Sequence, residues 1–189
     1  MLSGRRLDLI DPAPRDIEIH DIAHGLARVA RWNGQTLGAH VFSVAQHSLL
    51  VEAIAARLQP GLDRRARLVM LLHDAAEYVV GDVITPLKAM IGDGYTAAET
   101  RLRAAIHLRY GLRPVPDRGL ALLVKQADRV AAHLEAVQLA GFSAQEADEA
   151  FGRPEIREGG LDAYLDPWPT EQAQHRFLTR FGELAHENP

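Results

Sequence analysis

The sequence predicts an all-α fold, a single compact bundle of about six or seven helices. Three observations carry this. Apolar residues recur at three- and four-residue intervals along most of the chain. No segment sustains the two-residue alternation of β-branched residues that marks a half-buried strand. The periodic stretches are also bounded by residues that start and stop helices. A length of 189 residues suits one domain, and 47% hydrophobic content is enough to fill its core.

The first helix is expected over Asp21 to Arg31, where Ile22, Leu26 and Val29 share a face and Asn33-Gly34 offers a stop. Ser43, with Gln46 three residues on, forms a capping-box pattern for a second helix that ends near Pro60-Gly61. A third runs from about Asp63 to Gly81, glycine being suited to the left-handed residue after a helix. Asp82 to Pro86 is then a turn or loop, because Pro86 cannot continue a regular helix. Further helices are expected from Tyr95 to Tyr110, from Asp117 to Ala140, and shortly after Ser143. Gly152 to Pro169 reads as irregular, and Thr170 with Glu171 opens a last helix.

Composition narrows the function. With 21 Lys+Arg against 25 Asp+Glu the formal charge is −4, so no global positive field exists to hold a nucleic-acid polymer. A small phosphorylated ligand needs only one or two local cations. There is no cysteine, which excludes disulfides, thiolate nucleophiles and cysteine-held zinc together. Neither a secretion signal nor a membrane-length apolar run is apparent, so a cytoplasmic protein without a membrane partner is expected.

Polar residues interrupt three apolar stripes. His47 completes the spacing of Val44, Val51, Ile54 and Leu58. His73 falls on the stripe of Leu68, Val69, Leu72, Ala76 and Val79, with Asp74 beside it and Glu77 one turn later. Asp128 lies among Leu120, Leu123, Val124, Ala127, Val130, Ala131 and Leu134. Taken singly, a core histidine is usually hydrogen-bonded packing, and Asp128 could pair with Lys125 or Arg129. Three helices aiming ionisable groups into one core is different, since unpaired burial costs several kcal/mol each. One divalent cation would satisfy two imidazoles and two carboxylates at once, and Mn, Co, Mg, Fe and Zn all suit such a set.

His47, the pair His73-Asp74 and the distant Asp128 resemble the H…HD…D signature of the HD-domain metal-dependent phosphohydrolases. The stretches Leu72 to Lys88 and Val124 to Arg129, with Arg31-Trp32 upstream, resemble the YfbR-like 5′-deoxyribonucleotidase branch. The likeness covers roughly residues 21–139. It departs at Gln46, where the nucleotidases usually carry Glu. The segment Asn33 to Phe42 is closer to a bacterial and phage group that reads Ser-Val-Ala-Gln-His-Ser and includes enzymes releasing triphosphate from dATP.

The resemblance implies an HD-domain helical bundle in which His47, His73, Asp74 and Asp128 bind one divalent metal and Glu77 is the general base. It implies a phosphate-binding role for Arg31, a contact from Asp82 to the sugar 3′-hydroxyl, and substrate contacts from Trp32 and Lys88. Residues 1–189 read as one HD phosphohydrolase domain, with a metal-site core over about 21–140 and a C-terminal helical extension over about 141–189.

The expected activity is removal of the 5′-phosphate from (deoxy)ribonucleoside monophosphates by metal-activated water, with a nucleotide as the small-molecule partner and a homodimer as the assembly. A deoxynucleoside triphosphate triphosphohydrolase is the alternative enzyme, and a non-catalytic nucleotide-binding regulatory module is the alternative outside catalysis. His20 and His24 lack the glutamate of a zinc-protease helix and read as structural. Gly92-Asp93-Gly94 lacks the Lys-Ser/Thr sequel of a P-loop. His107 and His133 have no ligand-spaced partners.

Overall fold

A computed structural model describes residues 1–156 and 159–185. Among these, nine α-helices and no strand are present: α1 (Ile19–Leu26), α2 (Val44–Leu58), α3 (Arg64–Leu71), α4 (Glu77–Val80), α5 (Thr85–Ile91), α6 (Asp93–Arg109), α7 (Arg118–Gln138), α8 (Ala144–Phe151) and α9 (Thr170–Ala185). The all-α expectation holds. The count rises above seven because the third expected helix is broken in two and the segment after Ile84 forms a helix of its own.

The centre of the bundle is α2. Every residue from Val44 to Glu52 is buried, as befits a helix packed on all sides. It packs against α7, α3 and α9. One cluster joins α2, α3 and α7 through Leu50, Ile54, Met70, Leu123, Ala127 and Leu134. Another joins α1, α3, α6 and α9 through Ile22, Leu26, Leu71, Ile106, Phe177 and Phe181. The stretch after Gly141 is therefore part of the core, since α9 supplies three of its large side chains, Phe177, Phe181 and Leu184.

Helix starts follow their caps. Asp63, Asp117 and Ser143 each accept from the backbone N–H three residues on, and Ser143 with Glu146 closes a full capping box. Ser43 makes only half of the box expected of it. Its hydroxyl accepts from Gln46 N, but the Gln46 amide turns away, donating to Tyr164 O at 2.9 Å and Asp166 O at 2.7 Å and accepting from Trp168 N at 2.9 Å. A glutamate could not donate to two carbonyls, which explains the amide at this position.

Two helix boundaries differ from expectation. α1 ends at Leu26, before Asn33-Gly34, because the chain leaves the helix to pair with the segment before α2: Arg31 N donates to Phe42 O and Val44 N to Val29 O. Arg31–Gly34 then forms a 3-10 turn with Trp32 and Asn33 at φ +54° and +52°, a region costing non-glycine residues roughly 1–2 kcal/mol each. The helix expected over Asp63 to Gly81 is interrupted between Leu71 and Glu77. There the bonds run three residues back, as in Ala75 N to Leu72 O and Glu77 N to Asp74 O. This tighter winding carries His73 and Asp74. Asp82 lies in a loop as expected, but the loop ends at Ile84 and does not reach Pro86, which stands in the first turn of α5, where its missing N–H costs nothing. Within the expected irregular stretch, residues 157 and 158 lie outside the described residues, and Asp162–Tyr164 forms one 3-10 turn.

Candidate metal centre and the carboxylate behind it

The tertiary structure brings the four sequence-predicted ligands together. One ligand atom from each of His47, His73, Asp74 and Asp128 falls within 4.8 Å of every other. His47 comes from α2, His73 and Asp74 from the tight turn between α3 and α4, and Asp128 from α7. His47 Nε2 lies 3.2 Å from Asp128 Oδ1 and 3.4 Å from Asp74 Oδ2, while His73 Nε2 lies 3.0 Å from Asp74 Oδ2.

Orientation of the rings decides what they can hold. His73 Nδ1 is 2.8 Å from Met70 O, and His47 Nδ1 is 2.5 Å from Glu135 Oε1. A carbonyl and a carboxylate only accept, so each Nδ1 carries the hydrogen and each Nε2 is turned toward the cluster. Both Nε2 atoms are buried without a hydrogen-bond partner. Buried polar atoms are rarely left so, and two of them facing two carboxylates fit a divalent cation with nitrogen and oxygen ligands. The imidazoles are buried, whereas the Asp74 and Asp128 side chains are 21% and 41% exposed, so the cluster opens to solvent on its carboxylate side.

Electrostatics reflect a shortage of positive charge. Burial and Arg31 push the His47 proton off, yet Glu135, Asp128 and Asp74 outweigh them and hold His47 well above an ordinary imidazole. Burial opposes ionisation of Asp74, but His73 and His47 hold it well below the usual carboxylate range. Glu77, buried one turn beyond, is pushed up to about 9 by burial and by Asp74 and Asp82, against the pull of Arg31 and Lys88. Its Oε2 has no hydrogen-bond partner.

The other predicted residues surround this cluster. Arg31 Nη1 donates to Asp82 Oδ2 at 3.1 Å, and Lys88 Nζ lies 3.9 Å from Glu77 Oε1 and 3.3 Å from Glu99 Oε1. Trp32 is half-buried, its ring edge-on to Phe142 at 5.7 Å and Phe151 at 5.9 Å. His20 and His24 take no part. His107 Nδ1 pairs with Arg113 O, and His133 pairs with Asp148.

Sequence reasoning missed Glu135. It is fully buried and meets His47, Arg31 and Trp32 at once, and His47 with Arg31 overcomes the effect of burial to hold it at about 2. A signal was there: Glu135 stands seven residues after Asp128, two helical turns along the same face of α7. A groove of about 770 Å³ bounded by Leu62, Val69, Leu112 and Leu120 shares no residue with this centre. Donor chemistry, not volume, locates the site.

Residues 44–133 match the HD domain family. The chain is 57% identical over 185 residues to an uncharacterized protein of Rhodobacter capsulatus, covering 95% of this chain and 94% of that one. It is 36% identical over 115 residues to the uncharacterized protein YfdR of Escherichia coli, covering 61% of this chain and 57% of that one. The match spans α2 to most of α7 and contains all four ligand candidates, so the chain carries an HD domain, a domain that implies metal-dependent phosphohydrolase chemistry.

Proposed function

We propose that this protein is a 5′-nucleotidase that removes phosphate from (deoxy)ribonucleoside monophosphates. The observation that supports it most is the pair of buried, unpartnered imidazole Nε2 atoms facing Asp74 and Asp128. In this reading His47, His73, Asp74 and Asp128 hold one divalent ion. Bound there, the ion would polarise the phosphate ester, acidify a water and, by its charge, favour the carboxylate form of Glu77.

Glu77 accepts the proton of the attacking water, from a helix that begins three residues after Asp74. Arg31 offers its planar guanidinium to phosphate oxygens, exchanging its bond to Asp82 for one to the ester. Asp82 is then free to accept from a sugar hydroxyl. Lys88 adds charge beside Glu77. Trp32 bounds the sugar side. A homodimer, implied by the resemblance, is part of the proposal, and light scattering of the purified protein tests it.

Substrate class is tested by offering dAMP and dATP separately with Mn²⁺ or Co²⁺. Inorganic phosphate from dAMP is the expected result. Intact triphosphate from dATP, with no phosphate from any monophosphate, would replace the nucleotidase by a triphosphohydrolase. Binding of both nucleotides without turnover would leave a regulatory module.

A further inference from the structure

Beside the ligand cluster, the buried carboxylate of Glu135 takes no part in the proposed reaction. Both oxygens of Glu135 are engaged: Oε1 lies 2.5 Å from His47 Nδ1, while Oε2 accepts from Trp32 Nε1 at 2.8 Å and from Arg31 Nη2 and Nε at 3.3 and 3.4 Å. Packing alone does not account for this carboxylate, because a well-packed apolar residue of similar volume is often no less stabilising than a buried charge network. Nor does chance geometry. Consecutive side chains of a regular helix or strand diverge by roughly 100° or 180°, yet Arg31 and Trp32 reach one carboxylate. They do so at the left-handed turn of Trp32 and Asn33, a conformation the surroundings must hold.

We propose that Glu135 is a positioning residue that couples the two halves of the site, fixing the ring nitrogen His47 presents to the cation and, through its other oxygen, the Arg31-Trp32 turn that meets phosphate. This rests on the metal reading of the same centre. The carboxylate is required because it faces donors at both ends. Glutamine keeps the volume but has one acceptor. With its oxygen toward the guanidinium and indole, its NH₂ meets His47 Nδ1 and forces the hydrogen onto Nε2, the atom needed for the metal. Reversed, the NH₂ opposes Arg31 and Trp32.

The test is Mn²⁺ affinity by calorimetry without substrate, on the full chain, with circular dichroism as the folding control. Glu135→Gln is expected to bind Mn²⁺ about 10–100-fold more weakly, the usual penalty for losing a carboxylate behind a ligand histidine. Glu52→Gln, a change at another buried glutamate remote from His47's partners, should lower the melting temperature and leave Mn²⁺ affinity at the wild-type value. Trp32→Phe removes the indole N–H that Glu135 Oε2 accepts, so a smaller loss of Mn²⁺ affinity is expected there too, and this variant carries the test if Glu135→Gln does not fold. Wild-type Mn²⁺ affinity in Glu135→Gln, or in Trp32→Phe where the glutamine variant cannot be measured, overturns the positioning role. Absence of Mn²⁺ binding in the wild type overturns the metal reading itself, a separate result.

Discussion

Two buried ionic clusters hang on α2, five residues apart, and they are built to opposite rules. At Glu52 the charges are complete: its two oxygens meet Arg67 of α3 and Arg180 of α9, and Arg180 also reaches Glu183. At His47 they are not. Five carboxyl groups, Asp74, Glu77, Asp82, Asp128 and Glu135, gather near Arg31 and Lys88, and two imidazole nitrogens and a Glu77 oxygen lack partners. A cluster that serves the fold closes its own hydrogen bonds, because each open one costs free energy. A cluster that leaves them open is waiting for a ligand that supplies positive charge.

The sharpest way to break the contrast is Glu77→Gln. Loss of the proposed base should lower kcat by about 10²–10⁴ while Mn²⁺ binding persists, a split that steady-state kinetics and calorimetry resolve. The same change should stabilise the metal-free protein. Glu77 ionises near 4.5 when unfolded and near 9 when folded, so its protonated form favours the fold below the lower value and that contribution is lost as pH rises between the two. The melting-temperature advantage of Glu77→Gln should therefore grow from pH 5 to pH 9. An advantage that is flat across that range would contradict the buried, proton-holding Glu77.

On the complete cluster, Glu52→Gln should cost about 2–3 kcal/mol in denaturant unfolding. That is below the ~3–5 kcal/mol of a fully buried pair, because Arg67 and Arg180 can turn toward water. Activity per folded molecule should not change.

Gly25→Ala sharpens the contrast from outside both clusters. A Cβ on Gly25 would sit 2.8 Å from the Tyr78 carbonyl oxygen and Cβ, and the Tyr78 backbone cannot swing aside as a flexible side-chain end would. Displacing α4, which begins with Glu77, should cost about 1–3 kcal/mol and lower kcat with little effect on Mn²⁺ affinity. The smallest effect is expected at His107, whose burial lowers its pKa below the ordinary 6.5. Its stability contribution is present above pH 6.5 and is lost as pH falls through the folded value. His107→Leu should melt with a shallower acid dependence than the wild type in that window.

Much of this was legible beforehand. The stripes of α2 and α7 and the caps at Asp63, Asp117 and Ser143 follow local rules, and so the helices they start appear where periodicity puts them. His47, His73 and Asp128 stood out because each occupies a position where the helical period demands a hydrophobe. The break at Leu72–Ala76 was not legible: its residues have ordinary helix propensity, and nothing in the local sequence marks where the winding tightens. Glu135 escaped because a buried glutamate is recognisable only from what it meets, and His47, Arg31 and Trp32 are about ninety to a hundred residues away in the chain.

The chain's own pattern determined that it would be helical, which faces would turn inward and which ionisable groups would be carried with them, since period and capping are set by neighbours a few residues apart. Only the tertiary structure decided that those groups share one centre, which nitrogen each imidazole presents, and that Glu135 joins the ligand side to the arginine side. Distances of a few ångströms between segments far apart in sequence depend on how helices pack, and no local rule carries that information.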